Sequence, residues 1–552
     1  MRRTDTRARE ARGATMVTMS AFEVLGPIMV GPSSSHTAGA LRIALVARSL
    51  APAPITHVDF VLYNSFSRTH VGHGTDRALV AGILGLGPGD IRVRRSFELA
   101  REAGLDFTLT EGGRDEGLHP NTVEIHMGCE GGSSISVTGE SLGGGRVRVS
   151  SIEGVPVSIA GDMPTIFVEH RDLPGVLAAL TRQLSLANVN IATMSTFRQE
   201  RGGRAYTVFE VDEPVGSRLL ELLGKTENVE FASQVNVPGT AAASAPVEPG
   251  LSFSSGSQLL AACGARQLSI GELMRAREAE LVGDSDGPTS PDAAMARVLE
   301  VMRSETTEAL TRPKASLGGL LGGQAARVAE CSSVPCGGAR GLAGALMGTA
   351  LTRATAFAMA TLERSATMGV IVAAPTAGSA GVVPGALLAC TEATGAEDAA
   401  VRRALWNAAA VGALVSTNAT VAGAEGGCQA EVGTASAMAA SALVELLGGT
   451  PAQCLDAASL AIANTLGLVC DPVGGMVEFP CQARNAMGVA CAMSSAQLAL
   501  SGVECPIPFD EVVDAMAAVG AALPPTLRET AEGGLAATPT ARGGCIGCST
   551  CA

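Results

Sequence analysis

The spacing of apolar and polar residues changes twice along the chain, and those changes divide it. Before about residue 160, runs such as 57–63 (HVDFVLY), 123–128 (VEIHMG) and 146–152 (RVRVSSI) are strand-like, with short helical stretches between them. They predict an α/β domain over 15–160. From 165 to about 238 the order is strand, helix, strand, strand, helix, strand, which predicts a ferredoxin-like βαββαβ domain over 163–238. Residues 239–257 (GTAAASAPVEPGLSFSSGS) are small, polar and proline-containing, and read as a linker. From Leu259 the period becomes helical, in LSIGELMRAREAELV and AAMARVLEVMRSETTEAL. Long Ala/Met/Leu stretches follow, broken by the loops GGLLGG, APTAGSAG, AGAEGG and DPVGG. An all-helical domain over 258–540 is expected, with the chemistry on its loops and a cysteine-containing tail at 541–552.

Composition narrows the classes. A chain of 552 residues exceeds a single core and fits several domains. A net charge of -14 and 3% aromatic residues argue against a nucleic-acid partner, which needs basic patches and stacking platforms. The mean hydropathy is +0.29 and 368–390 carries no charge, long enough for a bilayer. Pro375, Gly378, Gly381, Pro384 and Gly385 interrupt it and no basic or aromatic flank accompanies it, so no membrane span is expected. The 14 cysteines are scattered with no secretory leader ahead of them, which fits a reducing cytoplasm. The basic start, MRRTDTRAREAR, has no apolar core and reads as a disordered tail or as residues ahead of a start at Met16 or Met19.

Histidine and cysteine are segregated. All seven histidines (His36, His57, His70, His73, His119, His126, His170) lie in the first third, and twelve of the 14 cysteines follow residue 330. Chemistry that needs both a metal and an imidazole would therefore require two domains to meet. Cys428, Cys470 and Cys481 stand in GAEGGCQAEVG, LGLVCDPVGG and EFPCQARN, spaced C-x41-C-x10-C, so only the fold can gather them. Three thiolates can hold a [4Fe–4S] cluster and leave one iron open as a Lewis acid, which points to a hydro-lyase. Burial as small residues of an Ala-rich core is the alternative.

Other motifs supply polar groups. GPSSSHTAGALR places Ser33, Ser34, Ser35, His36 and Thr37 just before a helix, where exposed N–H groups and hydroxyls favour a carboxylate or phosphate. An ordinary serine N-cap is the alternative. In SRTHVGHGTD, His70 and His73 are three apart, but GHG reads as a loop rather than a helix face, so His73 reads as an acid/base. HPNT adds Asn121 and Thr122. PTAGSAG lacks the Lys-Ser/Thr ending of a nucleotide loop, and its backbone around Thr376 to Ser379 is expected to hold a carboxylate instead. Arg484, three residues after Cys481, is a candidate substrate anchor, a donor to sulfur, or a structural arginine at a helix start.

Taken together, GPSSSHTAG, GHGTD, HPNT, PTAGSAG, GAEGGCQAEVG, CDPVGG and PCQARN resemble the iron–sulfur L-serine dehydratases of bacteria, over almost the whole chain. The segment 163–238 resembles the ACT domain, with Asp172-Leu-Pro-Gly175 after its first strand and Asn190 and Ile191 at the start of its second. The resemblance implies that Cys428, Cys470 and Cys481 hold a [4Fe–4S] cluster. It implies an α/β first domain like an allosteric substrate-binding domain. It also implies an amino-acid effector at Asp172, Gly175, Asn190 and Ile191, and a homodimer paired through the ACT modules. Losing water from serine needs a base for the α-proton, and His73 is expected first, His36 second. Lys225 and Lys314 are the only lysines and neither has a pyridoxal setting. In ARGGCIGCSTCA, Cys545, Cys548 and Cys551 end the chain. The family implies that one of them, Cys551 by expectation, occupies the open iron until substrate arrives, and a disordered tail is the alternative. A dehydratase or desulfidase of another β-substituted amino acid, and a non-catalytic amino-acid sensor, remain open, whereas electron transfer fits three thiolates poorly.

Overall fold

A computed structural model describes residues 19–543, apart from 144, 162, 236–246, 249, 283–289 and 334–338. The chain divides into two compact units: residues 29–244, and residues up to 28 together with those from 245 onward.

The first unit holds two sheets. The strands β1 (Ile55–Tyr63), β2 (Asp106–Gly113), β3 (Thr122–Cys129), β4 (Ser134–Gly143), β5 (Arg146–Ile152) and β6 (Val155–Ile159) pair in the order β2-β1-β3-β4-β5-β6. Only the β1–β2 pair is parallel. Alternation sets the buried face: Val58, Phe60 and Leu62 of β1 are fully buried, with Phe60 opposite Ile125 and Val58 opposite Met127. The helix Ala40–Ser49 packs closely on this sheet, because a Cβ at Gly139 would meet Ile43 Cγ2 at 2.2 Å. The six strands and helices expected for the βαββαβ segment all form: β7 (Thr165–Arg171), helix Val176–Leu186, β8 (Ile191–Arg198), β9 (Arg204–Val211), helix Ser217–Gly224 and β10 (Val229–Val235). They make an antiparallel sheet ordered β10-β7-β9-β8. Ile166, Val168, Leu180, Leu184, Phe209 and Leu223 form its core.

The second unit is helical, as the 3.6-residue periodicity predicts. The helices Ile270–Val282 and Pro291–Thr311 fall on the two amphipathic runs read from sequence. Its centre is the helix Thr434–Leu446, buried at every position from Thr434 to Glu445, which is what an all-round apolar helix requires. The charge-free stretch 368–390 is not one helix: it forms the strand Val370–Val372, a 3₁₀ turn Ala377–Ser379 and part of the helix Val382–Thr394. No helix among the described residues is long and apolar enough to cross a membrane.

Two expected boundaries move. Residues 20–28 were expected in the α/β domain but belong to the helical unit. The buried carboxylate of Glu278 captures them, accepting from Ser20 Oγ and from the Ala21 N–H at 2.8 Å, while Arg277 donates to the Met19 carbonyl. A buried carboxylate needs donors, and the start of the helix Ala21–Val24 supplies them. The end of the expected linker is also core: Leu251 and Phe253 are buried and the helix Gly256–Arg266 begins inside it.

Candidate metal centre and histidine site

Three backbone devices bring the cysteines of the helical unit together. Gly427, at φ 74°, turns the chain ahead of Cys428, and a Cβ there would press on the Leu468 carbonyl at 2.8 Å. Cys470 is held in an extended bridge, its N–H donating to the Leu527 carbonyl at 2.9 Å and its carbonyl accepting from the Glu529 N–H at 2.8 Å. Cys481 is the first residue of the helix Cys481–Leu500. All three are buried, at 2%, 3% and 7% exposure, so no thiolate here is compensated by water. The Cys470 thiol is pushed well above its ordinary pKa, chiefly by its hydrogen bond with Cys428 and then by burial. Burial does the same to Cys481, with Cys428 adding to it.

Charged partners surround the sulfurs. Arg484 Nη1 donates to Cys428 Sγ at 3.5 Å and to the Val469 carbonyl at 2.8 Å, and its Nη2 pairs with Asp471 Oδ1 at 2.7 Å. Burial opposes its charge, but Cys428 and Asp471 outweigh that and raise its pKa. Glu431 Oε2 lies 4.0 Å from Cys470 Sγ, and the donor atoms of Cys428, Glu431 and Cys470 lie within 4.8 Å of one another. Desolvation raises the Glu431 pKa, against the pull of Thr376 and Arg484. The loop PTAGSAG does meet a carboxylate, and it is the chain's own. Thr376 Oγ1 donates to Glu431 Oε1 at 2.8 Å, and a Cβ at Gly378 would lie 3.0 Å from that oxygen. Ser379 is buried beside it, its hydroxyl shared between Thr376 Oγ1 and the Ala374 carbonyl. Glu529, buried at φ 60°, has its pKa raised by burial and then by Glu431.

This donor set fits a thiophilic metal group. The three buried sulfurs have no disulfide partners, burial and the nearby Cys428 raise the pKa of Cys470 and of Cys481, and bound positive charge is what stabilises such sulfurs as thiolates. The guanidinium on Cys428 is the kind of outer contact that orients a ligating sulfur.

The first unit gathers the histidines. GHG is not a loop: the helix Asn64–His73 runs through it and ends only at Gly74, whose φ of 64° caps it. His70 and His73 nevertheless do not act together. His70 turns its Nδ1 to the Ser67 carbonyl, whereas His73 is fully buried and meets His36 edge-on with ring centroids 4.3 Å apart. His36 is held by Ser33 Oγ at Nδ1 (3.3 Å) and Ser65 Oγ at Nε2 (2.8 Å). Neither ring nitrogen of His73 has a hydrogen-bond partner among the described residues. Burial lowers the His73 pKa to about 3, and burial with His73 beside it holds His36 well below its usual value. Both rings are neutral.

The remaining expected residues are placed as follows. Ser33 caps the helical turn Ser34–Gly39 by accepting from the His36 N–H, and Thr37 Oγ1 donates to the His73 carbonyl at 2.6 Å. Ser34 lies against Met29 Sδ, and half-buried Ser35 offers its carbonyl to Ser141 Oγ. Asn121 Nδ2 donates weakly to the Ser141 carbonyl while its buried Oδ1 has no partner among the described residues, and Thr122 Oγ1 donates to the His119 carbonyl. In the ferredoxin-like domain, Asp172 accepts from Arg198 and from the Gly202 N–H, and Gly175 caps the first helix at φ 96°. Exposed Asn190 donates to Asp212 at 2.8 Å, and Ile191 opens β8 half-buried. Cys545, Cys548 and Cys551 lie outside the described residues.

Sequence reasoning missed Glu431, Asp471, Glu529 and Ser65. The first two had a signal, acids three and one residues after a candidate ligand in a charge-poor half; Glu529 and Ser65 had none.

Comparison with known proteins covers both units. Residues 20–130 match the serine dehydratase beta chain family, 164–228 the ACT domain and 265–536 the serine dehydratase alpha chain family. The L-serine dehydratase alpha chain of Peptoniphilus asaccharolyticus is 47% identical over 44% of this chain and 80% of its own length. The beta chain of that organism's L-serine dehydratase is 40% identical over 40% of this chain and all of its own. The L-serine dehydratase of Streptomyces coelicolor is 30% identical over 94% of this chain and 98% of its own length.

Proposed function

Since the chain belongs to the L-serine dehydratase family, with beta-chain, ACT and alpha-chain regions in one polypeptide, we propose that it is an L-serine ammonia-lyase. It removes water from L-serine to give aminoacrylate, which tautomerises and hydrolyses to pyruvate and ammonia. The observation that carries this reading is the buried trio Cys428, Cys470 and Cys481 with Arg484 on its first sulfur. The group these residues would hold is a [4Fe–4S] cluster. Bound there, it would supply Lewis acidity that eases loss of the α-proton and of hydroxide.

The chain's own groups supply the rest. His73 is the proposed base: a neutral imidazole with two unpartnered nitrogens has a lone pair for the α-proton. His36, beside it and held by Ser33 and Ser65, is the second candidate. Asn121 Oδ1, buried and unpartnered, is an acceptor for the substrate ammonium. Ser33, Ser34, Ser35, Thr37, Thr122, Thr376, Ser379 and Arg484 complete the proposed contacts, Thr376 and Arg484 through Glu431 and Cys428. The ACT region is proposed to bind an amino-acid effector around Asp172, Gly175, Asn190 and Ile191, and to pair two chains as a homodimer in the cytoplasm.

Pyruvate formation by anoxically purified, iron-loaded protein tests the substrate. L-Serine should be turned over in preference to other β-substituted amino acids. Turnover of L-cysteine or L-threonine with none of L-serine would overturn the assignment.

A further inference from the structure

Two of the three cysteines stand apart from the third. The sulfurs of Cys428 and Cys470 share a volume with the Glu431 carboxylate, all three donor atoms within 4.8 Å of one another, and Cys481 is not part of that triplet. Around a single tetrahedral zinc, with Zn–S about 2.3 Å and Zn–O about 2.1 Å, donor atoms sit roughly 3.6–3.8 Å apart. The triplet reaches that spacing by small side-chain shifts.

The carboxylate is held for the purpose. Thr376 Oγ1 fixes Oε1, which leaves Oε2 toward Cys470. The backbone closes on it from two sides: a Cβ at Gly423 would come to 2.7 Å of Oε2, and one at Gly378 to 3.0 Å of Oε1. Glu431 is the one member of the triplet that is not fully buried as a residue. Two thiolates and one carboxylate around a divalent ion leave one negative charge, which Arg484, shared between Cys428 Sγ and Asp471, partly screens.

We infer that, in protein without a cluster, Cys428, Cys470 and Glu431 form a mononuclear site for a thiophilic divalent cation such as zinc. Occupation takes two of the three proposed cluster sulfurs, so the ion competes with cluster assembly. The inference deepens the reading of the same cysteines, but its readout is metal binding by cluster-free protein. Failure here leaves serine turnover by the loaded enzyme untouched, and failed turnover leaves this binding untouched.

Cobalt(II) titrated into full-length, reduced, cluster-free protein provides the probe. One ion per chain is expected, with thiolate-to-cobalt charge-transfer absorption and the intense visible bands of tetrahedral cobalt. Cys470→Ser, which leaves only the Cys428 thiolate, should weaken binding and lower the charge-transfer band by roughly half, and Glu431→Gln, which leaves every thiol in place, should weaken binding on the order of 10–100-fold. Cys481→Ser and the triple variant C545S/C548S/C551S should retain it. Prior zinc loading should slow cluster reconstitution. No one-to-one binding, an unchanged affinity in Glu431→Gln, or loss of the signal in Cys481→Ser or in the tail variant would overturn the inference.

Discussion

Arg484 shows why residue type matters around the cysteines. Its planar fork serves a sulfur, a carbonyl and a carboxylate at once, at Cys428, Val469 and Asp471. A lysine ammonium on a flexible stem cannot span that arrangement. Arg484→Lys should therefore lower retention of iron and sulfide on the order of 10–100-fold, with helix content by circular dichroism unchanged. His73 carries a different burden. Its folded pKa of about 3 lies below the 6.5 of an exposed imidazole, so between those values the unfolded chain binds a proton that the folded chain does not. The stability its burial permits is complete above about pH 6.5 and falls as pH drops, by on the order of 2 kcal/mol at pH 5. Urea midpoints at pH 7 and pH 5 measure that slope, and His73→Gln should lessen it, leaving the share of His36, whose pKa burial also lowers. The same variant should reduce pyruvate formation roughly 10²–10⁴-fold while iron content holds, as expected for loss of a base.

At the scale of elements, the segment that carries Cys481 is tied down on both sides. Glu478 accepts from Ser316 Oγ (2.7 Å) and from the N–H groups of Gly318 (2.6 Å) and Leu320 (2.9 Å). Gln482 donates to Glu363, which also caps the start of the helix Gln324–Ser333 through the Ala325 N–H. Glu478→Ala strands three donors, two of them backbone, and should cost about 2–3 kcal/mol in urea unfolding of the helical unit. Elements of this kind were legible where one short period decides the structure. The alternating strand β1 and the amphipathic helix Pro291–Thr311 follow from their own residues. What escaped depends on distant partners. The helix through GHG needs only Gly74 to end it, and a loop reading put the end too early. The segment 20–28 changes unit because Glu278, some 250 positions on, captures it. The three candidate cysteine ligands stood out by context, but the Glu431 carboxylate that fills the PTAGSAG loop is a contact across 55 positions that no local pattern encodes.

Across the whole molecule, the chain keeps its imidazoles and its candidate metal-binding sulfurs in separate units, and the family match runs through both. The described C-terminal segment packs against the candidate metal centre. Leu527 and Glu529 grip the backbone of Cys470, and the Leu535 N–H donates to Asp471 Oδ2 at 2.7 Å. Buried sulfurs such as Cys470 and Cys481, raised in pKa by burial and by Cys428, depend on bound positive charge, so activity should follow the metal group rather than the fold. The most direct test is pyruvate formation from L-serine by protein purified without oxygen, repeated on the same sample after air exposure and again after incubation with ferrous iron, sulfide and thiol. Activity lost in air and restored by reconstitution is the predicted result. Undiminished pyruvate formation from protein shown to hold no iron would contradict it.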